Sequence, residues 1–483
     1  MPDIEIPDHW NWKRLDELGE WNTGGTPRRS TEEYWEDGTI PWVTPKEMKR
    51  TRIANTQDNM TELGLEESTA KLVPEGTVLF VTRSGILEHS LPVAIAETDL
   101  TVNQDMKTLT THDYVDPEFV LFYSMAFEKD ILRDCTKDGT TVASIDSDSL
   151  YSYKVPVPPL EEQRQIVQRI DELLSKLETG VDDLKDATQK LQNYRASLLE
   201  SAFKGDLTSD WRNKHNSSLQ NPKDIFTKVS EDPERQSAVV EDIDELPTNW
   251  VWASFGDIFN VSIGSTPSRS EPDYWNGDIP WVSSGEVEFC RIKDSEEKIT
   301  EEGLANSSTT VHDEGTVLLG IIGQGKTRGQ AAILDVKAAH NQNTAAIDLS
   351  ETDVPPEYVY YFLMGNYQRT RMLGSGNQQK ALNKERVQKM QFPVPSIEEQ
   401  QEIVERLEQR LSVIDEVVKE VENGMSRAET LRESILRQAV KGGLIDNAGS
   451  ETEVIQVSND GGGVSGEQTT LMGSIKEAKD HGE

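Results

Sequence analysis

Hydrophobic and polar positions along this chain follow two different periods. Short apolar runs such as TIPWV, GTVLFV and PVAIA are separated by turns rich in Gly and Asp, which is typical of β-strands. Two longer stretches instead place an apolar residue at every third or fourth position, which is typical of a helix with one buried face. The pattern therefore predicts globular segments, mostly β with a few helices, that alternate with single long helices.

The order of these segments repeats at a spacing of about 240 residues. PDHWNWKRLDEL returns as PTNWVWASFGDI, GGTPRRSTEEYWEDGTIPWV returns as GSTPSRSEPDYWNGDIPWV, and EGTVLFVTRSG returns as EGTVLLGIIGQG. The ends of the copies also match, with PVPPLEEQRQIVQRIDELL against PVPSIEEQQEIVERLEQRL. Self-similarity at a fixed spacing is the signature of a duplicated architecture. The chain therefore contains two copies of one unit, each a globular part followed by a long helix.

This organisation predicts an α+β protein made of two tandem mixed α/β domains, with two long helices that separate and join them. A polar stretch between the copies predicts a linker with a short docked helix at DIFTKVS, and the composition of the last stretch is typical of disorder. The predicted segments are the first domain at 1–155, the central long helix at 156–204, the linker at 205–244, the second domain at 245–392, the distal long helix at 393–442 and an acidic disordered tail at 443–483.

Each long helix carries one apolar stripe that must be buried. Because tandem copies commonly pair about a two-fold axis, we expect the helices to run antiparallel as a coiled coil, on the order of 60 Å long at about 1.5 Å per residue. Pairing between two molecules is the alternative. Ser396 and Glu399 predict a capping box, and KGDL and KGGL predict the helix ends. The stripe residues are Ile170, Leu173, Leu177, Val181, Leu184, Ala187, Leu191, Tyr194 and Leu198 in the first helix, and Leu407, Leu411, Ile414, Val418, Val421, Met425, Ala428, Leu431 and Ile435 in the second.

Composition narrows the function classes. Two cysteines, Cys135 and Cys290, are too few for a disulfide framework or a four-ligand zinc site, and the 7 His are scattered, so we predict no metal site. No apolar run approaches the roughly 20 residues of a membrane span, and the N-terminal MPDIEIPDHWNW lacks the pattern of a signal peptide. We therefore expect an unprocessed cytoplasmic protein without a membrane partner.

The formal net charge of −37, from 49 basic and 86 acidic residues, has the wrong sign for a lone nucleic-acid binder. One interpretation is a cytoplasm of very high salt, where dense carboxylates keep proteins hydrated and apart. The alternative is an acidic scaffold that meets basic partners. A basic patch on an acidic body remains compatible with both.

GIIGQGKT, residues 320–327, fits the phosphate-loop pattern of a nucleotide-binding enzyme. The first copy has FVTRSGIL at that place, without Gly-Lys-Thr. A phosphate loop must also open a helix, whereas RGQAAILDV follows here and predicts a second strand. We therefore predict a strand-loop-strand turn and set aside nucleotide binding.

Several motifs together resemble those of the DNA specificity subunit of type I restriction-modification systems: GGTPRR, YW, IPWV, NQ, PVPPLEEQ and LLESAFKGDLTSDWR, in the order globular unit, long helix, globular unit, long helix. The resemblance covers nearly the whole chain apart from the tail. It implies that each globular unit is a target recognition domain reading one half of a split, asymmetric sequence in double-stranded DNA. It also implies that the helices fix the spacing of the domains.

The same resemblance implies a chain without catalysis or a cofactor of its own. Its partners are expected to be two methyltransferase subunits docked on the helices and, in the full complex, restriction/translocase subunits. S-adenosylmethionine and ATP with Mg²⁺ are expected on those partners. VPPEY, at 354–358, lacks the leading amide or acid of an amino-methyltransferase motif. The rival function is a coiled-coil adaptor that joins protein partners, which the acidic charge also suits.

Residues that read bases should lie on loops and differ between the copies, since Arg or Lys suits guanine, Asn or Gln adenine, and Ser or Thr either. Two pairs of segments meet this demand, TPKEMKRTR against SSGEVEFCR and TRSGILEHS against GQGKTRGQ. The alternative is that these segments are solvated hairpin tips. The candidates there are Lys46, Lys49, Arg50, Arg52, Arg83, Ser84, His89, Ser283, Ser284, Arg291, Gln324, Lys326, Thr327 and Arg328.

Residues shared by both copies predict contacts that do not depend on base sequence. The arginines after the TP turn bind phosphate or form a local salt bridge; the Asn-Gln pairs position phosphate or cap a buried turn; Lys380 contacts the backbone. These candidates are Arg28, Arg29, Asn103, Gln104, Arg269, Asn341, Gln342 and Lys380. Trp35, Trp42, Trp275 and Trp281 are predicted to be core aromatics.

Overall fold

The computed structural model describes residues 5–137, 139, 141–215, 245–323, 325–372 and 382–444. The chain divides into two compact units, Met1–Leu177 with Glu429–Glu483 and Glu178–Ala428, and the division crosses both long helices. The predicted DIFTKVS helix and the predicted tail beyond residue 444 lie outside the described residues.

The first unit contains short strands and short helices before the first long helix. Its strands are β1 Asn11–Arg14, β2 Gly19–Thr23, β3 Ile40–Val43, β4 Arg52–Ile53, β5 Asn59–Met60, β6 Val78–Val81, β7 Val93–Ala96, β8 Thr101–Val102, β9 Met106–Thr111 and β10 Lys154–Val157. Its helices are α1 Glu62–Glu66, α2 Pro117–Ala126, α3 Glu128–Cys135 and α4 Ser147–Ser152. The chain continues into α5 Leu160–Lys204 and α6 Ser209–His215.

A five-stranded sheet in the order β2-β9-β6-β7-β4 forms the centre of the first unit. β6 consists of four buried apolar residues because both faces of this strand are covered, and α2 packs against β6 and β7. A three-stranded sheet, β5-β3-β8, and the antiparallel pair β1-β10 complete the unit.

The second unit repeats this plan. Its strands are β11 Val251–Ser254, β12 Asn260–Ile263, β13 Trp275–Val282, β14 Cys290–Ile292, β15 Glu297–Ile299, β16 Val317–Gly320, β17 Ala331–Leu334, β18 Ala339–His340, β19 Thr344–Asp348 and β20 Gln391–Val394. Its helices are α7 Phe255–Ile258, α8 Glu301–Ala305, α9 Pro356–Gly365, α10 Tyr367–Met372, α11 Lys384–Gln388 and the long α12 Ile397–Ala439. The sheet orders β12-β19-β16-β17-β14, β15-β13-β18 and β11-β20 match those of the first unit strand for strand. The predicted duplication and the α+β class are confirmed.

The long helices pack against each other inside each unit. In the second unit Arg195 Nη1 donates to Asp415 Oδ1 at 2.8 Å, and a β-carbon at Gly424 would lie 3.2 Å from Leu184 Cδ1. One residue number rises as the other falls, so α5 and α12 run antiparallel there. In the first unit the beginning of α5 shares a buried cluster with the end of α12, including Ile170, Leu174, Ile435 and Leu436.

The predicted stripe residues are buried or half-buried, with one exception. Tyr194 is 52% exposed, so the prediction that it belongs to the stripe is wrong. The half-buried residue between Leu191 and the buried Leu198 is Arg195 instead. The reason is the helical period of 3.6 residues, which makes a step of four from Leu191 follow the buried face better than a step of three.

The ends of the long helices follow local chemistry. α5 begins at Leu160 and α12 at Ile397, four residues later than predicted, because the preceding PV pairs belong to β10 and β20. Gly205 and Gly442 follow the helix ends with φ of 85° and 84°, a left-handed conformation that glycine adopts without a Cβ clash. Part of the predicted linker is helical, since α6 lies at Ser209–His215.

The predicted capping box of the second long helix is only half formed. Ser396 Oγ accepts from Glu399 N at 3.3 Å. The Glu399 carboxylate, however, accepts from Thr208 Oγ1 at 2.7 Å, Arg212 Nε at 2.8 Å and Trp250 Nε1 at 3.0 Å. This carboxylate is fully buried and paired, as a charge inside a protein must be.

Candidate nucleic-acid interface

The first tip loop, residues 82–92 between β6 and β7, presents polar and apolar side chains at the end of the central hairpin. Arg83 and His89 are exposed, and Ser84 is half-buried. Ser84 Oγ accepts from Ile86 N at 3.4 Å at the start of a 3-10 turn, while Ser84 N donates to Ala143 O at 3.1 Å. The loop therefore combines a fixed backbone with an exposed arginine side chain.

The second tip loop, residues 321–330, connects β16 to β17 as an antiparallel pair, so the predicted strand-loop-strand turn is confirmed. No helix opens after Thr327 in this described segment. Lys326 is exposed, while Thr327 and Arg328 are half-buried. The carbonyl oxygen of Lys326 accepts from Tyr367 Oη at 2.6 Å and from Arg371 Nη1 at 3.3 Å, which ties the loop to α10. Gln324 and Lys380 lie outside the described residues.

Beside each tip loop lies a framework turn, residues 103–105 in the first unit and 341–343 in the second. Asn103 is buried, and its Oδ1 accepts from Asp105 N at 3.1 Å; Asn341 is buried, and its Oδ1 accepts from Asn343 N at 3.0 Å. Both asparagines therefore cap a turn, the second of the two predicted alternatives.

The framework turns hold the tip loops mainly through backbone bonds, to which Thr82 Oγ1 adds one side-chain bond by donating to Asp105 O at 3.1 Å. Asp105 O accepts from Thr82 N at 2.9 Å and from Arg83 N at 3.1 Å. In the second unit Asn343 O accepts from Ile321 N at 2.9 Å and from Ile322 N at 3.4 Å. Since main-chain groups make the bonds that both units share, the side chains of the tip loops beyond Thr82 are free to differ between the units.

An exposed glutamine stands on each framework turn and bonds to a threonine of the TP segment. Thr26 Oγ1 donates to Gln104 Oε1, and Thr266 Oγ1 donates to Gln342 Oε1. The two units thus contain the same polar pair at the same place.

The TP segments are held by a pair of tryptophans. Trp42 Nε1 donates to Gly25 O at 3.0 Å and Trp35 Nε1 to Arg28 O at 3.3 Å. The Trp35 and Trp42 rings meet edge to face, with centroids 5.1 Å apart. Arg29 Cζ lies 4.1 Å from the Trp35 centroid, and its Nη2 donates to Asp58 Oδ2 at 2.7 Å. Arg28 is exposed.

The second unit has the same arrangement. Arg269 Cζ lies 3.8 Å from the Trp275 centroid, and its Nη2 donates to Glu297 Oε2 at 2.7 Å. This guanidinium holds the pKa of Glu297 below its usual range. Trp281, like Trp42, is buried, whereas Trp35 and Trp275 are half-buried, so the prediction of core aromatics is right for one ring of each pair. Arg29 and Arg269 form the predicted local salt bridges, and their side chains remain 51% and 55% exposed.

Arg52 and Arg291 are engaged inside their own units. Arg52 Nη1 lies 2.6 Å from Glu118 Oε1, and Arg291 Nη1 lies 2.8 Å from the matching Glu357 Oε1. Arg291 also pairs with Asp335, and these hydrogen bonds raise the pKa of Arg291. Each of these arginines joins a strand to the first turn of a helix. That Arg52 and Arg291 read bases stays a prediction.

The segments after β3 and β13 have a shared polar turn. Thr44 N donates to Glu47 Oε2 at 2.9 Å, and Ser283 N donates to Glu286 Oε2 at 2.7 Å. Ser284 is half-buried. The basic candidates of the first unit's segment are all exposed, namely Lys46, Lys49 and Arg50. The part of this segment before β4 and β14 therefore carries basic side chains only in the first unit.

Within the described ranges no cluster of three or more His, Cys, Asp and Glu could hold a metal ion. No helix there is long and apolar enough to cross a membrane.

The fold and the interface define a class: tandem α+β domains that place different tip loops on one framework. A family model for the type I restriction modification DNA specificity domain matches residues 7–184 and 247–423, one match for each copy. The chain belongs to this family, as the motifs predicted.

Related proteins carry consistent names. The chain is 38% identical over 202 residues to the type I restriction enzyme EcoR124I/EcoR124II specificity subunit of Escherichia coli, which covers 41% of this chain and 50% of the relative. The chain thus spans half the length of that relative. It is 25% identical over 368 residues to the MjaIX specificity subunit of Methanocaldococcus jannaschii, covering 74% and 77% of the two chains.

Two solved structures share the fold. A chain from a study of assembly and conformational transition of the type I R-M system superposes with a TM-score of 0.69 at 17% identity, over 91% of this chain and 100% of the other. The HsdS subunit from Thermoanaerobacter tengcongensis gives a TM-score of 0.54 at 17% identity, over 91% and 98%.

Proposed function

We propose that this chain is the subunit that gives a type I restriction-modification complex its DNA sequence specificity. Each unit reads one half of a split, asymmetric target in double-stranded DNA. The observation that carries the proposal is the combination of a shared framework with different tip loops. Two surfaces built alike but ending in different side chains suit two different half-sites.

Base reading falls to polar residues of the tip loops and the neighbouring segments. In the first unit the readers are Arg83, Ser84 and His89, with Lys46, Lys49 and Arg50 alongside. In the second unit they are Gln324, Lys326, Thr327 and Arg328, with Ser283 and Ser284 alongside. Guanidinium, amide and hydroxyl groups are the donors and acceptors that match base edges in the major groove.

The chemistry belongs to partners in this proposal. Two methyltransferase subunits dock on α5 and α12 and bind S-adenosylmethionine, and restriction/translocase subunits bring ATP and Mg²⁺ to the full complex. The names of the relatives as specificity subunits of restriction enzymes support this division of labour.

The methylated sequence tests the proposal. The full chain is expressed together with methyltransferase subunits, and methylated adenines are located by sequencing the host DNA. The expected motif has two specified halves separated by unspecified base pairs. Exchange of residues 1–155 for the same segment of a relative should change one half, and exchange of residues 245–392 should change the other.

A contradictory outcome is equally clear. A motif without a gap, or an exchange that alters both halves at once, overturns the assignment of one half-site per unit. If no methylation appears and the chain binds no duplex, while partner proteins still assemble on it, the chain is an adaptor.

A further inference from the structure

We propose that the Thr26–Gln104 and Thr266–Gln342 pairs contact the sugar–phosphate backbone at the edge of each half-site, as positioning contacts that do not depend on base sequence. This inference rests on the proposed function, because it concerns how each unit is set on the duplex.

Repetition is the first argument. The tip loops differ in sequence and in structure, since one contains a 3-10 turn and the other is tied to α10. The threonine–glutamine pair is the same in both units, and its glutamine is exposed in both. Two half-sites with different bases have only the backbone in common, so a shared surface contact beside unlike readers fits the backbone.

The hydrogen-bonding capacity of the pair is the second argument. An amide side chain has one oxygen acceptor and two N–H donors. The threonine hydroxyl donates to Oε1 of each glutamine, which leaves the Nε2 protons for a ligand. Among the described residues, Nε2 of Gln104 and of Gln342 has no hydrogen-bond partner. Outward donors suit an acceptor such as a phosphate oxygen.

The rigid attachment of the pair to the framework turn is the third argument. A β-carbon at Gly24 would lie 2.1 Å from Asn103 O, and one at Gly264 would lie 2.0 Å from His340 O. Glycine thus lets the TP segment approach the framework turn closely in both units. With Asn103 and Asn341 also capping the turns, each pair stands on a preformed base and loses little conformational freedom on binding.

Position is the fourth argument. Gln104 lies between Asn103 and Asp105, and Asp105 O holds the first residues of the tip loop. Gln342 has the same relation to the second tip loop through Asn343. When a tip loop enters a groove of the DNA, the neighbouring glutamine therefore comes close to the sugar–phosphate strand that flanks this groove.

The experiment measures binding of the full chain, with its methyltransferase subunits, to its own target duplex. Gln104→Ala and Gln342→Ala should each weaken binding about three- to ten-fold, the effect of one lost hydrogen bond. The loss should be equal for every base sequence at that half-site. The dependence on salt should not change, because a neutral amide releases no counterion.

Introduction of a negative charge supplies the matched control. Gln104→Glu places a carboxylate against phosphate and should weaken binding more than Gln104→Ala does. Asn11→Asp makes the same change of net charge on an exposed residue of β1, outside the tip loops and the long helices. It should leave affinity unchanged. Equal effects of Gln104→Glu and Asn11→Asp overturn the inference, as does an altered base preference in Gln104→Ala.

Methylphosphonate substitution tests the same contact from the DNA side with the unaltered chain. Replacing single phosphates along the target should reveal one position in each half-site where affinity falls for the unaltered chain. At that position in the first half-site, Gln104→Ala should show no further loss. Absence of such a position for both glutamines overturns the inference while leaving split-site recognition intact. If the unaltered chain binds no duplex sequence in preference to others, the proposed function is wrong as well.

Discussion

Two buried histidines distinguish the second unit from the first. His340 in β18 is 1% exposed; its Nδ1 lies 2.7 Å from Thr344 Oγ1, and its Nε2 is buried without a partner in the described chain. The ring centroid of His312 lies 5.1 Å away. The first unit has buried Val73 and Val102 at the matching positions, so its core at this place cannot take up a proton. The difference predicts that acid destabilises one unit selectively.

Burial, with a smaller contribution from His312, lowers the pKa of His340 to about 3. Burial also lowers the pKa of His312, against the opposing charges of Asp348 and Asp313. Because the unfolded-state pKa is about 6.5, the unfolded chain binds the proton first as pH falls. The stability contribution is full above about pH 7 and decreases as pH falls from about 6.5 towards 3. For His340 alone, this linkage costs the second unit about 2 kcal/mol at about pH 5.

Hydrogen exchange resolved by mass spectrometry can separate the units in the intact chain. Backbone amides of β16 and β19 report the second unit, and those of β6 and β9 report the first. Lowering the pH from about 7 to about 5 should decrease the opening free energy of the second unit by about 2 kcal/mol more than that of the first. The first unit is the internal reference because the carboxylates of this chain, with its net charge of −37, titrate in the same range.

His340→Val installs the residue that the first unit uses. The variant should lose most of the extra pH dependence of the second unit while keeping its fold at neutral pH. An unchanged pH dependence in the variant, or an equal response of both units in the original chain, would refute the assignment of the acid sensitivity to this ring.

Other substitutions test the paired groups and the reading surface. Leu407→Ala, at a fully buried position of α12, should lower the free energy of unfolding by about 2–5 kcal/mol in urea titrations. Arg212→Met leaves the buried Glu399 carboxylate without its charged partner and should lower the free energy of unfolding by about 3–5 kcal/mol, seen as a lower melting temperature. Arg291→Gln should cost about 1 kcal/mol or less and leave the methylated motif unchanged; an altered motif would make it a base reader. Arg83→Ile should change stability by less than about 0.5 kcal/mol yet relax one base position by about 1–3 kcal/mol in competition binding.

The duplication explains how much can be predicted from the sequence. Each copy serves as a check on the other, so a Gly-Lys-Thr match present in one copy only is recognisable as a turn. The apolar run that follows this turn predicts the antiparallel pairing of β16 with β17. The helix stripes are also predictable because periodicity needs no knowledge of distant partners. Tyr194 is the exception, because spacing alone places an aromatic residue near the stripe without showing which way the side chain faces.

Long-range polar pairing cannot be predicted in the same way. Arg52 and Glu118 are 66 positions apart, as are Arg291 and Glu357, and nothing in local sequence joins them. The repeat does contain a signal: both members recur in both copies, which favours a shared structural pair over residues that read different bases. Glu399 likewise fits a local capping box, and only the fold brings Arg212 to it.

The way the tip loops are attached explains how one framework can host two specificities. Asp105 O and Asn343 O accept from backbone N–H groups of the loops, and Asp105 O also accepts from Thr82 Oγ1. The backbone bonds survive any change of loop side chain except to proline. The framework, in contrast, is fixed by side chains, namely the capping asparagines, the paired tryptophans and the buried residues of the strands. In the proposed function, loop substitutions therefore change what is read at little cost in stability, whereas framework substitutions cost stability first. Such a division lets the two units diverge in base preference without diverging in fold.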